Sequence, residues 1–338
     1  MKKRQIYIFI LAVAAIVCLL FIVSPPKGRQ GSWQHNEGTI FGTIYHVKYH
    51  YDKDLKAKIE AELQKVDASL SMFNPSSTIS RINRGEADEA DEMLGEVLRL
   101  SFVVNKATDG AFDPTVAPLV NAWGFGFKSG QMPDSMQVDS LLSLVGLSRI
   151  HLEDGRLTKS NPLSILDFSA IAKGYGVDRA AAVLRSKGIK DFMVEIGGEV
   201  VTEGNNDKGD AWRIGINRPD DDSTSLSTEL QDIIAVSGKA IATSGNYRNY
   251  YISEGRKRAH TINPKTGYPA QSDILSSTVV APTCAEADAF ATAFMVLGVE
   301  NAKQVLQRQP ELDAYFIYTN EQGDYQTWCT EGFRKLIQ

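Results

Sequence analysis

The segment Leu166-Asp167-Phe168-Ser169-Ala170-Ile171-Ala172-Lys173-Gly174-Tyr175-Gly176-Val177-Asp178 does most to limit what this chain can become. It reads as a short apolar strand, a turn of small residues, and a helix running on through Arg179 to Arg185, with a lysine at the helix start. Such a start suits phosphate: the first backbone N–H groups of a helix are unpaired, small residues allow close approach, and lysine adds neutralising charge. The Gly-x4-Gly-Lys-Ser/Thr order of a Walker loop is absent.

Three later stretches add chemistry. Val194-Glu195-Ile196-Gly197-Gly198-Glu199-Val200 is a buried strand broken by a glycine pair, where a ligand or another backbone can come close. His260-Thr261-Ile262-Asn263-Pro264-Lys265-Thr266-Gly267 sets a histidine beside a Pro/Gly turn. In the Ala-rich helical stretch from Ala285, four-residue spacing puts Asp288 and Thr292 on one face, so a carboxylate and a hydroxyl can share a hard cation.

With 338 residues, 43% of them hydrophobic, the chain is long enough for a real core, and its net charge of −5 gives no nucleic-acid footprint. Lys2-Lys3-Arg4 precedes an uncharged apolar run over residues 6–23, which reads as a signal-anchor with its positive end in the cytoplasm. No small-x-small cleavage site closes the run, so an uncleaved anchor is favoured over a leader or a lipidated Cys18. Of the three cysteines, Cys284 and Cys329 are the pair left in the exported part; buried thiols are the simple reading and a disulfide the alternative.

Residues 1–23 are therefore read as membrane segment, 24–38 as a Pro-, Gly- and polar-rich linker, and 39–338 as the folded domain. Alternation predicts a strand over 39–51, and apolar spacing predicts helices over 55–70 and 93–108. Residues 129–139 read as a loop, 140–146 as a short helix, 150–157 as a hairpin turning at Asp154-Gly155, and the acidic, Ser-rich 220–227 as a surface loop. Strands are expected around 193–202, 212–217, 233–237, 250–252, 276–281, 314–319 and 326–329, with helices over 286–297 and 300–308. Without strict βαβ alternation, the fold class is α+β.

Further motifs are Phe41-Gly42-Thr43-Ile44-Tyr45, the stretch from Leu70-Ser71-Met72-Phe73-Asn74 to Asn83, Gly110-Ala111-Phe112-Asp113-Pro114-Thr115-Val116, and Thr243-Ser244-Gly245-Asn246-Tyr247. Taken in order, all these segments resemble the ApbE family of FAD:protein FMN transferases over roughly residues 39–298. The resemblance implies a two-lobed mixed sheet with helices and a flavin site in the cleft between lobes. It implies Mg²⁺ held by Asp288, Thr292 and the main-chain oxygen of Ala170, and FAD contacts at Phe41, Phe73, Ala111, Phe112, Asp113, Asp167, Lys173, Ser244 and Ile262. The family more often carries tyrosine where this chain has Phe73.

Breaking a pyrophosphate calls for a cation on its oxygens and a base for the acceptor. His260 is the natural base, with Asp288 its rival; Ser244 lacks the partners of a covalent nucleophile. The implied reaction moves FMN from FAD to a Thr/Ser hydroxyl of an acceptor redox protein, releasing AMP. By resemblance the acceptor is a flavoprotein subunit of a respiratory electron-transfer complex, and the enzyme is exported and anchored, on the periplasmic face of a bacterial inner membrane. The alternatives are an FAD pyrophosphatase and a non-catalytic flavin binder.

Overall fold

The computed structural model describes residues 31–125, 132–219, 230–246, 250–253, 256–259 and 261–338. The first half contains β1 (Ser32–Ile40), β2 (Thr43–Tyr51), α1 (Lys56–Leu70), α2 (Thr78–Asn83), α3 (Glu92–Ala107), α4 (Ala117–Ala122), α5 (Ser135–Leu142), β3 (Ile150–Glu153), β4 (Arg156–Lys159) and α6 (Ala172–Arg185). There follow β5 (Phe192–Ile196), β6 (Glu199–Glu203), β7 (Trp212–Asn217), β8 (Leu230–Val236), β9 (Ala240–Gly245), β10 (Tyr250–Ser253), β11 (Arg256–Ala259) and β12 (Ile274–Ala281). The chain closes with α7 (Cys284–Arg308), β13 (Asp313–Thr319), β14 (Tyr325–Cys329) and α8 (Glu331–Arg334).

Eight strands form one antiparallel sheet in the order β1-β2-β5-β6-β9-β12-β13-β14. One face is covered by helices. Tyr45, Val47 and Tyr49 of β2 pack with Ile59 and Leu63 of α1 and Val177, Ala181 and Leu184 of α6. A larger cluster joins α3 and α7, with Phe290, Phe294 and Phe316 at its centre. The opposite face is sealed by β7 and β8 together with Phe333 of α8. A satellite cluster of Leu119, Trp123, Val138, Val145 and Ile262 stands apart from these layers. The α+β reading of the sequence is the observed class.

Several local expectations change. The chain is already a strand at Ser32, inside the span read as linker, and it turns back through Phe41-Gly42 at φ 51° and 73°. Residues 34–37 look like linker because they are polar, yet the Asn36 side chain is buried: it donates to Asp54 at 2.9 Å and accepts from the Tyr49 hydroxyl at 2.9 Å. Helix α5 begins at Ser135, within the expected loop, because Asp134 and Gln137 close a reciprocal capping box and Val138 is buried. The glycine pair Gly197-Gly198 does not interrupt a strand but turns β5 into β6. Strands β9 and β11 and helix α8 were not anticipated. The two helices expected over 286–297 and 300–308 are the two halves of α7, which breaks where expected, at Gly298, whose φ of 74° is not helical. Cys284 and Cys329 are free thiols, with Cys284 buried. The apolar run at 6–23 and the acidic 220–227 loop lie outside the described residues. No described helix is long and apolar enough to cross a membrane.

Candidate active site

Helices α6 and α7 meet N-terminus to N-terminus. A Cβ on Gly174 would lie 2.3 Å from the Cys284 carbonyl oxygen, so only glycine permits the contact. Each helix caps the other: Asp178 of α6 accepts from the Cys284 and Ala285 N–H groups, both at 2.9 Å, while Asp288 of α7 accepts from the Gly174 N–H at 3.0 Å. The carboxylates thus satisfy N–H groups that α-helices leave open, at the positive ends of two dipoles.

Lys173, one residue into this junction, is ion-paired to Glu199 at the start of β6. Glu199 is 3% exposed, and its second oxygen, Oε2, is buried with no partner among the described residues. Burial, and then the neighbouring Asp288 charge, push Glu199 above the usual carboxylate range despite Lys173. Asp288 is likewise raised by burial, against Lys173 and the Gly174 N–H. For Lys173 burial works to lower the pKa, but Asp288 and Glu199 outweigh it and hold the ammonium above its ordinary value. Two buried carboxylates face one cation. The cluster has room in its charge balance for another.

Thr292, one turn beyond Asp288, shares a 3.1 Å hydrogen bond with Ser244 at the end of β9. Two residues further on, Asn246 accepts from the Thr261 hydroxyl at 2.8 Å, which ties the segment after His260 to this strand end. His260 itself lies outside the described residues. Ala170 sits in the turn two residues before α6. The structure therefore gathers Lys173, Asp288, Thr292 and Ser244 around one helix junction, and adds Glu199, which had been read only as part of a strand. The signal for Glu199 was an acid directly after a glycine pair.

A second group converges through Asn83. Its amide nitrogen donates to the Leu166 carbonyl at 2.8 Å and to Met72 Sδ at 3.1 Å, and its oxygen accepts from the Leu166 N–H at 2.9 Å. This places the loop bearing Phe73 beside the start of the Asp167 turn. Phe73 is 77% exposed, so its ring is not core. Asp167 holds its own turn by accepting from the Ser169 N–H and hydroxyl, and its N–H donates to Pro114 at 2.7 Å. Ala111 and Phe112 are buried in the main core. Asp113 is buried too, its carboxylate taken by Thr115 and the Leu147 N–H. Phe41 at the hairpin tip abuts α6, since a Cβ on Gly176 would come within 2.5 Å of its ring. Ile262 belongs to the satellite cluster, away from the helix junction in packing terms. Two surface cavities of about 410 and 340 Å³ flank Asp91 and share no lining residue with either group.

The sequence profile of the ApbE family matches residues 41–316. The chain belongs to the ApbE family. It is 32% identical to an FAD:protein FMN transferase of Escherichia coli K12, covering 96% of this chain and 97% of that one. It is 36% identical to an FAD:protein FMN transferase of Haemophilus influenzae, covering 89% and 90%. Among solved ApbE structures, the flavin transferase ApbE of Vibrio cholerae superposes with a TM-score of 0.81 at 32% identity, covering 90% of this chain and 99% of that one. The apo flavinyl transferase ApbE of Pseudomonas stutzeri gives 0.81 at 32%, covering 90% and 97%. The shared fold includes the large antiparallel sheet.

Proposed function

We propose that this ApbE member transfers FMN from FAD to a Thr or Ser hydroxyl of an acceptor redox protein and releases AMP. The observation that carries the reading is the Lys173–Glu199–Asp288 cluster at the paired helix starts: positive helix ends and an ammonium for phosphate, beside excess buried carboxylate for a cation. Among the described residues, Asp288 uses only Oδ2 within the protein, toward Gly174, and Glu199 Oε2 is orphaned. An all-oxygen set of this kind fits Mg²⁺, with Asp288, Thr292 and the Ala170 carbonyl as its holders. When bound, Mg²⁺ offsets charge on the pyrophosphate oxygens.

Lys173 then neutralises the phosphate next to the α6 start, and Glu199 keeps its ammonium in place. His260 takes the proton of the acceptor hydroxyl, whose oxygen forms a bond to the phosphorus on the FMN side as the bond to AMP breaks. Asp288 is the weaker base candidate because its carboxylate is committed to Gly174 and the metal. The flavin lies in a cleft reached by Phe41 and Phe73. Acceptor transfer is favoured over hydrolysis to FMN and AMP because the Asn74 carboxamide, which beside Phe73 could otherwise position a water, is engaged within its own loop, donating to Asp67 at 2.9 Å and accepting from the Ser76 N–H at 3.0 Å. The acceptor is a flavoprotein subunit of a respiratory complex, met on the periplasmic side, where the apolar run at 6–23 anchors the enzyme.

Intact-mass spectrometry of a candidate acceptor incubated with enzyme, FAD and Mg²⁺, with AMP assayed in parallel, tests this. An FMN-sized increment abolished by EDTA is expected. AMP without the increment on any acceptor hydroxyl would turn the reading to hydrolysis, and neither signal would leave a flavin binder.

A further inference from the structure

On the sheet face turned away from α1 and α6, the edge hairpin β1–β2 carries a second set of ligating groups. Its register pairs Trp33 with His50, His35 with Lys48 and Glu37 with His46. Residues two apart on a strand share a face, so all six lie opposite the buried Tyr45, Val47 and Tyr49. Three of the five histidines of the whole chain are on this one hairpin. His35, Glu37 and His46 each offer one ligand atom, and the three atoms all lie within 4.8 Å of one another. His46 Nδ1 is 3.8 Å from Glu37 Oε2, and the His35 and His46 rings are 6.1 Å apart.

We propose that His35, Glu37 and His46 form a binding site for a transition-metal dication, Zn²⁺ above all, that clips edge strand β1 to β2. Zinc takes imidazole nitrogen and carboxylate oxygen at about 2.0–2.2 Å, which sets donor separations of roughly 3–4 Å. The three side chains reach that spacing by small torsional changes, which the 42% and 70% exposure of the His46 and Glu37 side chains permits. Two imidazoles select Zn²⁺ or Cu²⁺ over Mg²⁺, which prefers oxygen, so this site and the Asp288 site take different metals. Glu195 of β5 faces His46 from the other side, with one oxygen accepting the Gly198 N–H at 2.7 Å, and lies at hand as a supporting carboxylate. Among the described residues, strand β1 has β2 as its one hydrogen-bonded strand neighbour. A cross-strand metal supplies the tie that a second neighbouring strand gives elsewhere. The inference does not depend on the transferase reading.

The test uses the untagged full-length chain in detergent, stripped of metal and titrated with Zn²⁺ against a chromophoric chelator, with Cu²⁺ electron paramagnetic resonance in parallel. One equivalent of Zn²⁺ is expected, with a Cu²⁺ spectrum split by two imidazole nitrogens. His35→Ala and His46→Ala should each weaken Zn²⁺ binding by at least about tenfold, the loss seen for even a supporting group at a metal site. Each should also remove one nitrogen coupling, while Mg²⁺-dependent turnover of FAD stays at its wild-type level, whatever that level is. Asp288→Asn should leave the Zn²⁺ equivalent in place. Zinc binding unchanged in both histidine variants, or lost in Asp288→Asn instead, would overturn the proposal, as would the absence of binding at millimolar Zn²⁺.

Discussion

Lys173 stands between two carboxylates that burial would otherwise keep protonated. Removing it forces Glu199 and Asp288 either to take up protons or to repel each other as charges in a poorly solvated site. Breaking a buried pair from one side costs about 3–5 kcal/mol; with a third of the Lys173 side chain in contact with solvent, Lys173→Ala should cost on the order of 2 kcal/mol. Chemical denaturation checks this, and Glu199→Gln in the Lys173→Ala background should restore most of the loss. A double variant no more stable than Lys173→Ala would count against a coupled pair. Asp178 gives a pH signature. Burial raises it from 3.8 to about 6, against its two backbone N–H bonds. The folded state then holds the proton more tightly than the unfolded chain, so this group stabilises fully below about pH 4 and loses that contribution as pH rises through about 6. The urea midpoint of the native protein relative to Asp178→Asn should therefore fall across that window and be flat on either side.

At the level of elements, the reciprocal caps make α6 and α7 one unit. Gly174→Ala drives a Cβ against the Cys284 carbonyl and must part the helix starts, a strain of about 1–3 kcal/mol, with loss of the Asp288 bond and of FMN transfer. Gly95→Ala in α3 is the contrast: the nearest atoms to its Cβ belong to the flexible end of Arg99, at 3.3 Å. There the helix should gain about 0.5–1 kcal/mol, so thermal melts of the two variants should move in opposite directions. The helices over 55–70 and 93–108 were legible because their apolar spacing repeats with the helical period, and the 150–157 hairpin because Asp154-Gly155 takes the positive φ its turn requires. Strand β1 was not legible, since an edge strand needs no apolar face and its one buried polar residue, Asn36, is satisfied by partners remote in sequence.

For the whole molecule, cation binding at Asp288 should raise the melting temperature, because a ligand held only by the folded state stabilises it by about 2.7 kcal/mol at one hundred times its Kd. Mg²⁺ should shift the melting curve of the native protein and leave Asp288→Asn unmoved in differential scanning fluorimetry; an equal shift in both would remove Asp288 from the site. The sequence by itself determined the family, the α+β class, and the local pieces of chemistry: a lysine at a helix start, and an acid and a hydroxyl one turn apart. These are short-range patterns, set by the 3.6-residue period and by turn residues. Only the tertiary structure decided that Glu199, 26 residues from Lys173, is its ion-pair partner. It also decided that Asp288, 114 residues from Gly174, caps the helix that carries that lysine. Sheet order and helix crossing make those contacts, and they depend on packing between segments that carry no mark of one another in sequence.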